Sequence, residues 1–278
     1  MRLIDPLLAA SLQEDIGTGD ITTQSTIPEA TVISGHFIAK EPGVVCGLPV
    51  AARVFALVDT RIVLKPCVSD GDLVEKGSVI AEISGPARGI LTGERVALNF
   101  LQRLSGIATR TRHCVDAVRG TQAKIADTRK TTPGLRVLEK YAVKTGGGVN
   151  HRFNLADGVL IKDNHIGAAG SITKAVEAAR KTAPHTLKIE VEVENFDMID
   201  EALACKADII MLDNMTLEEM AQAVDRIGGR AIVEASGNMG DRDLLAVAKT
   251  GVNIISIGAL THTVHAMDIS LRFQKEGG

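Results

Sequence analysis

Beyond residue 120, short apolar segments alternate with segments in which apolar residues recur every three or four positions. The first kind predicts buried strands and the second predicts amphipathic helices. Strands are predicted at 124–127, 158–161, 189–193, 208–212, 231–234 and 253–257, and helices at 134–145, 171–182, 196–204, 217–227 and 242–249. Such alternation is typical of parallel βαβ units, so this part of the chain is predicted to be an α/β domain.

The residues before about 90 have a different pattern. Short apolar stretches at 36–40, 61–66 and 78–83 are separated by segments that contain Gly, Pro and Asp. These residue types are typical of turns, so we predict a small domain rich in β structure. Apolar spacing within residues 1–15 predicts an amphipathic helix, and the acidic residues there lead us to expect no signal peptide.

One long helix is predicted to connect the two parts, over residues 92–118. Gly106 lies within it and marks either a bend or a close contact with another segment. We therefore divide the chain into an N-terminal domain, 1–106, and a β/α domain, 107–278.

Six predicted strands are too few for a complete eight-stranded barrel. The second domain is therefore either a short or irregular barrel or an open doubly wound sheet. Polar residues follow nearly every strand: Asp127 and Arg129, Lys162 and Asp163, Glu192 and Glu194, Asp213 and Asn214, then Glu234, Ser236 and Asn238. An open sheet would gather its functional residues at one switch point, so we favour the barrel.

Positive charge is concentrated between residues 127 and 152, with six Lys or Arg against two Asp or Glu, on a chain whose net charge is only −3. Arg129 and Lys130 directly follow an apolar strand, and His151 and Arg152 follow three glycines. Arginine binds carboxylates and phosphates bidentately, and lysine acts as a point charge. These two segments predict a site for small anions, whereas Lys140 and Lys144 suit a solvated helix face.

The last two strands are followed by small residues, in Glu234-Ala-Ser-Gly-Asn238 and Ile257-Gly-Ala-Leu260. A helical pattern follows each segment, and backbone N–H groups at helix starts bind phosphate. Barrels often place a phosphate site after their final strands, so we predict one here.

Two carboxylates, Glu192 and Asp213, end neighbouring predicted strands. They could hold Mg²⁺ that bridges a diphosphate, or stabilise a developing cationic sugar carbon. They could also only balance Lys162 and Arg129 in a structural ion network. The residues alone leave these three interpretations open.

The overall composition excludes several classes of protein. The net charge near zero and the scarcity of aromatic residues disfavour nucleic acid and polybasic membrane binding. No stretch approaches the roughly 18 apolar residues of a membrane span. Four cysteines without zinc-ligand spacing suit a reducing compartment, so we expect a cytoplasmic protein.

Together these segments resemble the quinolinate phosphoribosyltransferases, also called nicotinate-nucleotide pyrophosphorylases (carboxylating). The matching segments are 14–23, 91–100, 127–134, 144–152, 160–165, 190–194, 212–214, 234–237 and 257–258. The resemblance implies a type II phosphoribosyltransferase architecture: an N-terminal α/β sandwich domain and an incomplete β/α barrel of about seven strands. The last helix of that barrel could pack back on the N-terminal domain.

The resemblance also implies a reaction. Phosphoribosyl pyrophosphate and quinolinate, with Mg²⁺, would give nicotinate mononucleotide, pyrophosphate and CO₂. It implies a homodimer, or a higher oligomer, in which Arg95 is donated across the interface.

Residue roles carry over by position. The substrate-binding residues would be Arg95, Thr128, Arg129, His151, Arg152, Lys162, Ser236, Gly237, Asn238, Gly258 and Ala259. The catalytic residues would be Lys130, Lys162, Glu192 and Asp213. Lys130 would face the pyrophosphate, and the two carboxylates would contact the ribose hydroxyls and the metal.

Two other functions are alternatives to this one. Residues 64–92 resemble the turn-and-strand pattern of biotinyl and lipoyl domains, but Arg88 stands where those domains need a modifiable Lys. We interpret that likeness as shared β geometry. The second alternative is a molybdenum-transport-associated protein of the same fold with another substrate.

Overall fold

The chain forms two units, and the computed structural model describes residues 4–273 of it. The first unit comprises Met1–Arg110, Thr145–Gly147 and Val264–Gly278, and the second comprises Thr111–Lys144 and Gly148–Thr263. The predicted domain boundary at 106/107 stays a prediction, and it lies in the same long helix as the division between the units.

The elements are numbered in chain order. They are α1 (Asp5–Ile16), α2 (Ile21–Thr26), β1 (Val32–Ala39), β2 (Gly43–Val44), α3 (Leu48–Val58), β3 (Val63–Pro66), β4 (Leu73–Val74), β5 (Val79–Pro86), α4 (Ala87–Ala117), β6 (Lys124–Ala126), α5 (Arg136–Thr145), β7 (Val159–Ile161), α6 (Asp163–Ala169), α7 (Ile172–Thr182), β8 (Ile189–Val193), α8 (Phe196–Ala204), β9 (Ile209–Asp213), α9 (Leu217–Ile227), β10 (Ile232–Ser236), a 3-10 helix (Met239–Asp241), α10 (Leu244–Lys249), β11 (Ile254–Ser256), α11 (Ala259–His262) and β12 (Ile269–Phe273).

The first unit is an α/β sandwich built on a four-stranded sheet of order β12-β1-β5-β3. Phe37 and Ala39 of β1 are buried and alternate with less buried neighbours, as expected of a strand with one face in a core. Phe37 meets Phe55 of α3 edge to face, with ring centroids 6.1 Å apart. This pair lies in the core between the sheet and α3.

The C-terminal part of the first unit contributes the strand β12, which is not predicted from the sequence. It pairs antiparallel with β1, with Phe37 opposite Leu271. Ile269 and Leu271 are buried while Ser270 and Arg272 are not, so the segment has the two-residue period of a strand. Residues 1–3 of the predicted N-terminal helix lie outside the described residues.

The segment that resembles a carrier domain has a different geometry from one. Residues 87–91 form the first turn of α4 and present no hairpin tip. Arg88 donates hydrogen bonds to the carbonyl oxygens of Ile27 and Gln24, at 2.8 and 3.3 Å. The structure therefore leaves no hairpin lysine for biotinyl or lipoyl attachment at this place.

The second unit contains a six-stranded parallel sheet of order β6-β11-β10-β9-β8-β7. The order follows the chain from β7 to β11 and then returns to β6, which is the order of a barrel. Val149 makes an isolated parallel bridge to Ala126 of β6, outside the six strands of the sheet. The predicted incomplete barrel is confirmed, and β8 is buried along its whole length as barrel strands are.

Two features of the second unit, one bridge and one helix, are not predicted by the sequence pattern. Val149 forms its bridge directly after three glycines, which hide any strand periodicity there. Helix α6 is also unpredicted, because its seven residues are too few for a helical repeat to stand out.

Among the helices that the structure describes, none is long and apolar enough to cross a membrane.

Gly106 on α4 marks a close contact within the first unit. A Cβ atom at this position would lie 2.0 Å from the backbone oxygen of His265. No side-chain rearrangement can relieve a clash with backbone, so α4 or the segment at His265 would have to move.

Gly106→Ala is therefore expected to destabilise the protein by at least about 2 kcal/mol, measured as the free energy of unfolding in denaturant. The matched control is Gly167→Ala on α6, where an added Cβ meets nothing within 4 Å. That change should be neutral or stabilise by about 0.5–1 kcal/mol. Equal stability of the two variants would contradict the close contact.

Candidate active site

The carboxyl ends of the barrel strands surround a cavity of about 590 Å³ within the second unit. This volume is typical of sites for small molecules. Thirteen of the predicted site residues line it: Thr128, Arg129, Lys130, His151, Arg152, Lys162, Glu192, Asp213, Ser236, Gly237, Asn238, Gly258 and Ala259. Parallel strands end at one edge of the sheet, so residues distant in sequence meet there.

The remaining predicted site residue, Arg95, belongs to the first unit. It lies on α4, and its side chain is exposed. Its donation to the site of a partner subunit stays a prediction.

Two arginines form a cationic wall in the cavity. Burial lowers the pKa of Arg152, and the positive charge of Arg129 lowers it further. The Arg152 guanidinium also donates to the carbonyl oxygen of Gly158 at 2.9 Å, which fixes its direction. A ligand with two negative charges would relieve the repulsion between these arginines, so the wall suits a dianion.

His151 lies between the wall and the barrel interior. Its Nδ1 atom accepts a hydrogen bond from the backbone N–H of Arg152 at 2.8 Å. Its Nε2 atom lies 3.1 Å from Glu190 Oε2 and 3.8 Å from Glu234 Oε1. Burial lowers the pKa of His151, but the two carboxylates outweigh burial and the net direction is upward.

His151, Glu190 and Glu234 could hold a metal ion by position, because their ligand atoms lie within 4.8 Å of one another. The bond from Arg152 argues against this. With Nδ1 accepting, the ring proton of neutral His151 lies on Nε2 and points at the carboxylates. A metal on Nε2 would need the proton on Nδ1, facing another N–H group. We therefore place the ring proton on Nε2, which lies at ion-pair distance from Glu190 although the geometry is not that of a hydrogen bond.

Glu190 and Glu234 are buried acids that are not among the predicted site residues. Burial and the nearby Glu190 raise the pKa of Glu234 to about 7. Glu190 was missed, although a signal exists: it lies two residues before Glu192 in β8, and residues with that spacing share a face of a strand.

Lys162 and Glu192 form an ion pair between Nζ and Oε2 in the cavity. This pair is one of those in the ion network that the sequence left open as one of three interpretations. Both residues line the cavity, so an incoming anion can compete with Glu192 for Lys162. Asp213 is half-buried at the end of β9, and its Oδ2 atom accepts a hydrogen bond from Asn214 at 2.8 Å.

The predicted phosphate-binding loops consist of tightly packed backbone. Gly237 has φ +92°, and a Cβ there would lie 2.2 Å from Asn214 Oδ1. Asn214 and Asn238 have the rare positive φ values of 56° and 51°. A Cβ at Gly258 would lie 2.9 Å from Lys130 Cδ, so Lys130 crosses directly over this loop. Such strained backbone at a cavity is typical of a site that exposes peptide N–H groups to a ligand.

The helices that follow these loops are shorter than the sequence predicts. After Asn238 comes a three-residue 3-10 helix, and α10 begins only at Leu244. After Gly258 comes α11, with four residues. Such short helices have small dipoles, so any phosphate binding here depends on the loop N–H groups.

The expectation that Lys140 lies on a solvated helix face is wrong. The Lys140 side chain is fully buried, and its ammonium is ion-paired with the fully buried carboxylate of Asp127. Lys144, one turn further along α5, is exposed as expected. Asp127 follows its strand as a structural partner, since its carboxylate faces Lys140.

The comparisons with known proteins cover nearly the whole chain. Residues 107–272 match the family of the quinolinate phosphoribosyl transferase C-terminal domain, and residues 20–105 match that of its N-terminal domain. A probable nicotinate-nucleotide pyrophosphorylase (carboxylating) of Bacillus subtilis is 49% identical over 258 residues, 93% of this chain and 89% of its own. The nicotinate-nucleotide pyrophosphorylase (carboxylating) of Mycobacterium leprae is 46% identical over 94% of each chain.

A solved structure is similar in fold as well. The nicotinate-nucleotide pyrophosphorylase from Francisella tularensis superimposes with a TM-score of 0.94 at 44% identity, over 98% of this chain and 96% of its own.

The raised pKa of Glu234 predicts a pH-dependent stability. Between its ordinary value of 4.5 and about 7, the folded protein keeps a proton that the unfolded chain releases, so stability falls as pH rises through this window. The Glu234→Gln variant has no titrating carboxyl group at this position, so it does not lose stability in this way as pH rises. Its unfolding free energy relative to the wild type should therefore rise from pH 4.5 to 7, by no more than about 3 kcal/mol at roughly 1.4 kcal/mol per pKa unit.

Denaturant titrations across this pH range measure the effect. Glu194→Gln, at an exposed position just after β8, is the matched control and should run parallel to the wild type. A Glu234→Gln curve that is also parallel would contradict the assigned pKa.

Proposed function

Because the chain belongs to the quinolinate phosphoribosyl transferase family, we propose that its barrel cavity transfers the phosphoribosyl group of phosphoribosyl pyrophosphate to quinolinate, with decarboxylation. The products are nicotinate mononucleotide, pyrophosphate and CO₂, a step of pyridine nucleotide biosynthesis. The observation that carries the proposal is the division of one cavity into a cationic half, suited to a dicarboxylate, and a backbone half, suited to a phosphate.

The two carboxylates of quinolinate bind in the cationic half. Arg129 and Arg152 pair with them, and Lys162 leaves Glu192 to join them. The Nδ1 atom of neutral His151 accepts the backbone N–H of Arg152 and so supports the Arg152 backbone. In a protonated ring, Nδ1 would carry a proton and would donate to a substrate carboxylate instead. The 5′-phosphate of the sugar binds the backbone of residues 236–238 and 258–259.

In the transfer step, the pyridine nitrogen attacks the ribose C1 atom as the bond to pyrophosphate breaks. The transition state carries positive charge on the sugar, so it needs positioning and electrostatic stabilisation more than a nucleophile. Glu192 and Asp213 line the same cavity, and their negative charges stabilise the positive charge on the sugar. Lys130 crosses over Gly258 and neutralises the departing pyrophosphate.

Decarboxylation follows on the same ring. The quaternary nitrogen stabilises the carbanion left when the adjacent carboxylate departs as CO₂, and the carbanion then takes up a proton. Partial burial of the cationic half, which lowers the pKa of Arg152, also desolvates that carboxylate and favours its loss.

A magnesium ion fits the carboxylates present. Mg²⁺ is usually bound by one or two protein carboxylates together with substrate phosphates, and Glu192 and Asp213 offer two at the cavity. When bound with phosphoribosyl pyrophosphate, the ion would neutralise charge on the leaving diphosphate. Lys162 would have to release Glu192 for this role.

The assembly is the second part of the proposal. The exposed position of Arg95 on α4 leaves its guanidinium available to a partner subunit. We infer a homodimer in which each subunit adds Arg95 to the cationic half of the other. The four cysteines are scattered along the sequence without zinc-ligand spacing, which suits a reducing compartment and supports a cytoplasmic location.

The alternative of a molybdenum-transport-associated protein with another substrate is not favoured. Relatives that are 46–49% identical over more than nine-tenths of the chain are named as pyrophosphorylases. The decisive experiment is an assay of pyrophosphate and CO₂ release that depends on quinolinate, with nicotinate as the control substrate. Pyrophosphate and CO₂ release with quinolinate, and no pyrophosphate release with nicotinate, supports the proposal. Equal turnover of nicotinate contradicts it.

Arg152→Ala should weaken quinolinate binding selectively. Removing one charged hydrogen-bonding partner costs roughly 1.5–3 kcal/mol, so the KM for quinolinate should rise about 10- to 100-fold. The KM for phosphoribosyl pyrophosphate should change much less, because the phosphate loops are backbone. Lys144→Ala, which removes an exposed cation, should leave both values unchanged. An equal loss for both substrates would contradict the assignment of Arg152.

The shared site predicts complementation. Arg95→Ala subunits mixed with Lys162→Ala subunits should regain about a quarter of the wild-type activity. The estimate assumes that half of the randomly formed dimers are mixed and that each mixed dimer has one intact site. Steady-state activity after denaturation and refolding of the mixture measures it. No regain, with both variants dimeric, would argue against a donated Arg95.

A further inference from the structure

Two loops carry the arginines of the cationic half, and α5 contacts both of them. The first basic loop comprises residues 128–134 and includes Arg129. The second basic loop comprises residues 150–158 and includes Arg152. Three side chains in the first turns of α5 bond to these loops: Arg136, Glu139 and Lys140.

Arg136 bonds to both basic loops at once. Its Nε atom donates to Thr131 Oγ1 at 3.0 Å, and Nη2 donates to the carbonyl oxygen of Arg129 at 3.4 Å. Its Nη1 atom donates to the carbonyl oxygen of Phe153 at 3.0 Å. One planar guanidinium thus ties together the backbones beside Arg129 and Arg152.

The next two polar residues of α5 are buried, and each holds one loop. Glu139 Oε2 accepts the backbone N–H of Thr132 in the first basic loop, at 3.0 Å. Lys140 Nζ donates to the carbonyl oxygen of His151 in the second, at 2.9 Å. The Lys140 ammonium also lies 5.1 Å from the centroid of the Phe153 ring.

Asp127 completes the support of the second basic loop. Its Oδ1 atom accepts the backbone N–H of His151 at 2.9 Å, and Oδ2 accepts from Asn150 at 2.6 Å. The ion pair of Asp127 with Lys140 therefore holds both polar groups of the His151 backbone, the N–H and the C=O. Arg152 is the next residue along the chain.

The cost of this arrangement indicates a purpose beyond stability. Burial lowers the pKa of Lys140 and raises that of Asp127, so both ions lose hydration that their pairing must offset. Buried ion pairs of this kind often contribute little net stability, and in some proteins they serve to specify one conformation. Here the fixed conformation is that of the loops that hold two mutually repelling arginines.

We propose that Arg136 and Lys140 are positioning residues for the substrate dicarboxylate: they hold the two basic loops so that Arg129 and Arg152 face the same ligand. Neither residue is among those that line the cavity in the described part of the chain. The identity of the dicarboxylate as quinolinate rests on the proposed function.

The test compares Arg136→Met with Lys144→Met, since each variant removes one positive charge from α5. Lys144 is exposed at the end of the helix, so its removal reproduces the long-range electrostatic change. Calorimetry should give a quinolinate Kd raised 10-fold or more for Arg136→Met. The Kd for phosphoribosyl pyrophosphate should rise much less, because Lys130 in the first basic loop is also held by the hydroxyl of Thr261, which donates to the Lys130 carbonyl oxygen at 2.8 Å. Lys144→Met should match the wild type for both ligands. Arg136→Lys should restore little, because a single ammonium cannot bond to both loops.

Lys140 is tested with its partner. Lys140→Met alone leaves Asp127 buried and unpaired and can fail to fold, whereas Lys140→Met combined with Asp127→Asn removes both charges. The double variant should fold, bind phosphoribosyl pyrophosphate normally and bind quinolinate at least 10-fold more weakly. Wild-type affinity for quinolinate in Arg136→Met or the double variant, or equal weakening for both ligands, would overturn the proposal.

Amide hydrogen exchange separates this proposal from the proposed function. If α5 holds the loops, exchange in residues 128–134 and 150–158 should rise in Arg136→Met and not in Lys144→Met. Unchanged exchange would overturn the positioning role even if quinolinate is the substrate. A wild-type protein that binds no quinolinate would instead contradict the proposed function, whatever the loops do.

Discussion

The arrangement of the site depends on two guanidinium groups, those of Arg129 and Arg152, held in one partly buried cavity. Burial lowers the pKa of Arg152, and the positive charge of Arg129 lowers it further. The Arg152 guanidinium is held by its bond to the carbonyl oxygen of Gly158, and the direction of both arginines depends on the conformation of the loops that carry them. That explains why the loops carrying them are bonded to α5 through Arg136, Glu139 and Lys140, and why Asp127 is buried beside them.

The carboxylates of the cavity fit the same constraint. Glu192 pairs with Lys162 until an anion arrives, while Glu190 and Glu234 lie under His151 and raise its pKa against the effect of burial. A site that only bound anions would gain nothing from acids among its cations. Phosphoribosyl transfer requires both, because the substrate carboxylates are negative and the transition-state sugar is positive.

Much of this could be predicted from sequence, because the periodicity of buried parallel strands is strong and their carboxyl ends must meet. The polar residues at the strand ends follow from that rule, whereas the other lining residues and the individual roles rest on the family resemblance. Lys140 could not be predicted to be buried, since its partner Asp127 lies 13 residues away on another element. Arg136 carried no signal because two of its three acceptors are backbone carbonyls, which any sequence provides. The strand β12 and the pairing of Glu190 with His151 did have signals, in each case a two-residue period.

The central claim is that the cationic half is built for two carboxylates on one ring. Calorimetric titration of the wild-type protein with pyridine-2,3-dicarboxylate and with pyridine-3-carboxylate tests it most directly, because binding is measured without turnover. Loss of one carboxylate leaves a buried cation unpaired, at a cost of roughly 1.5–3 kcal/mol. We expect the dicarboxylate to bind about 10- to 100-fold more tightly. Equal affinity for the two ligands would contradict the account.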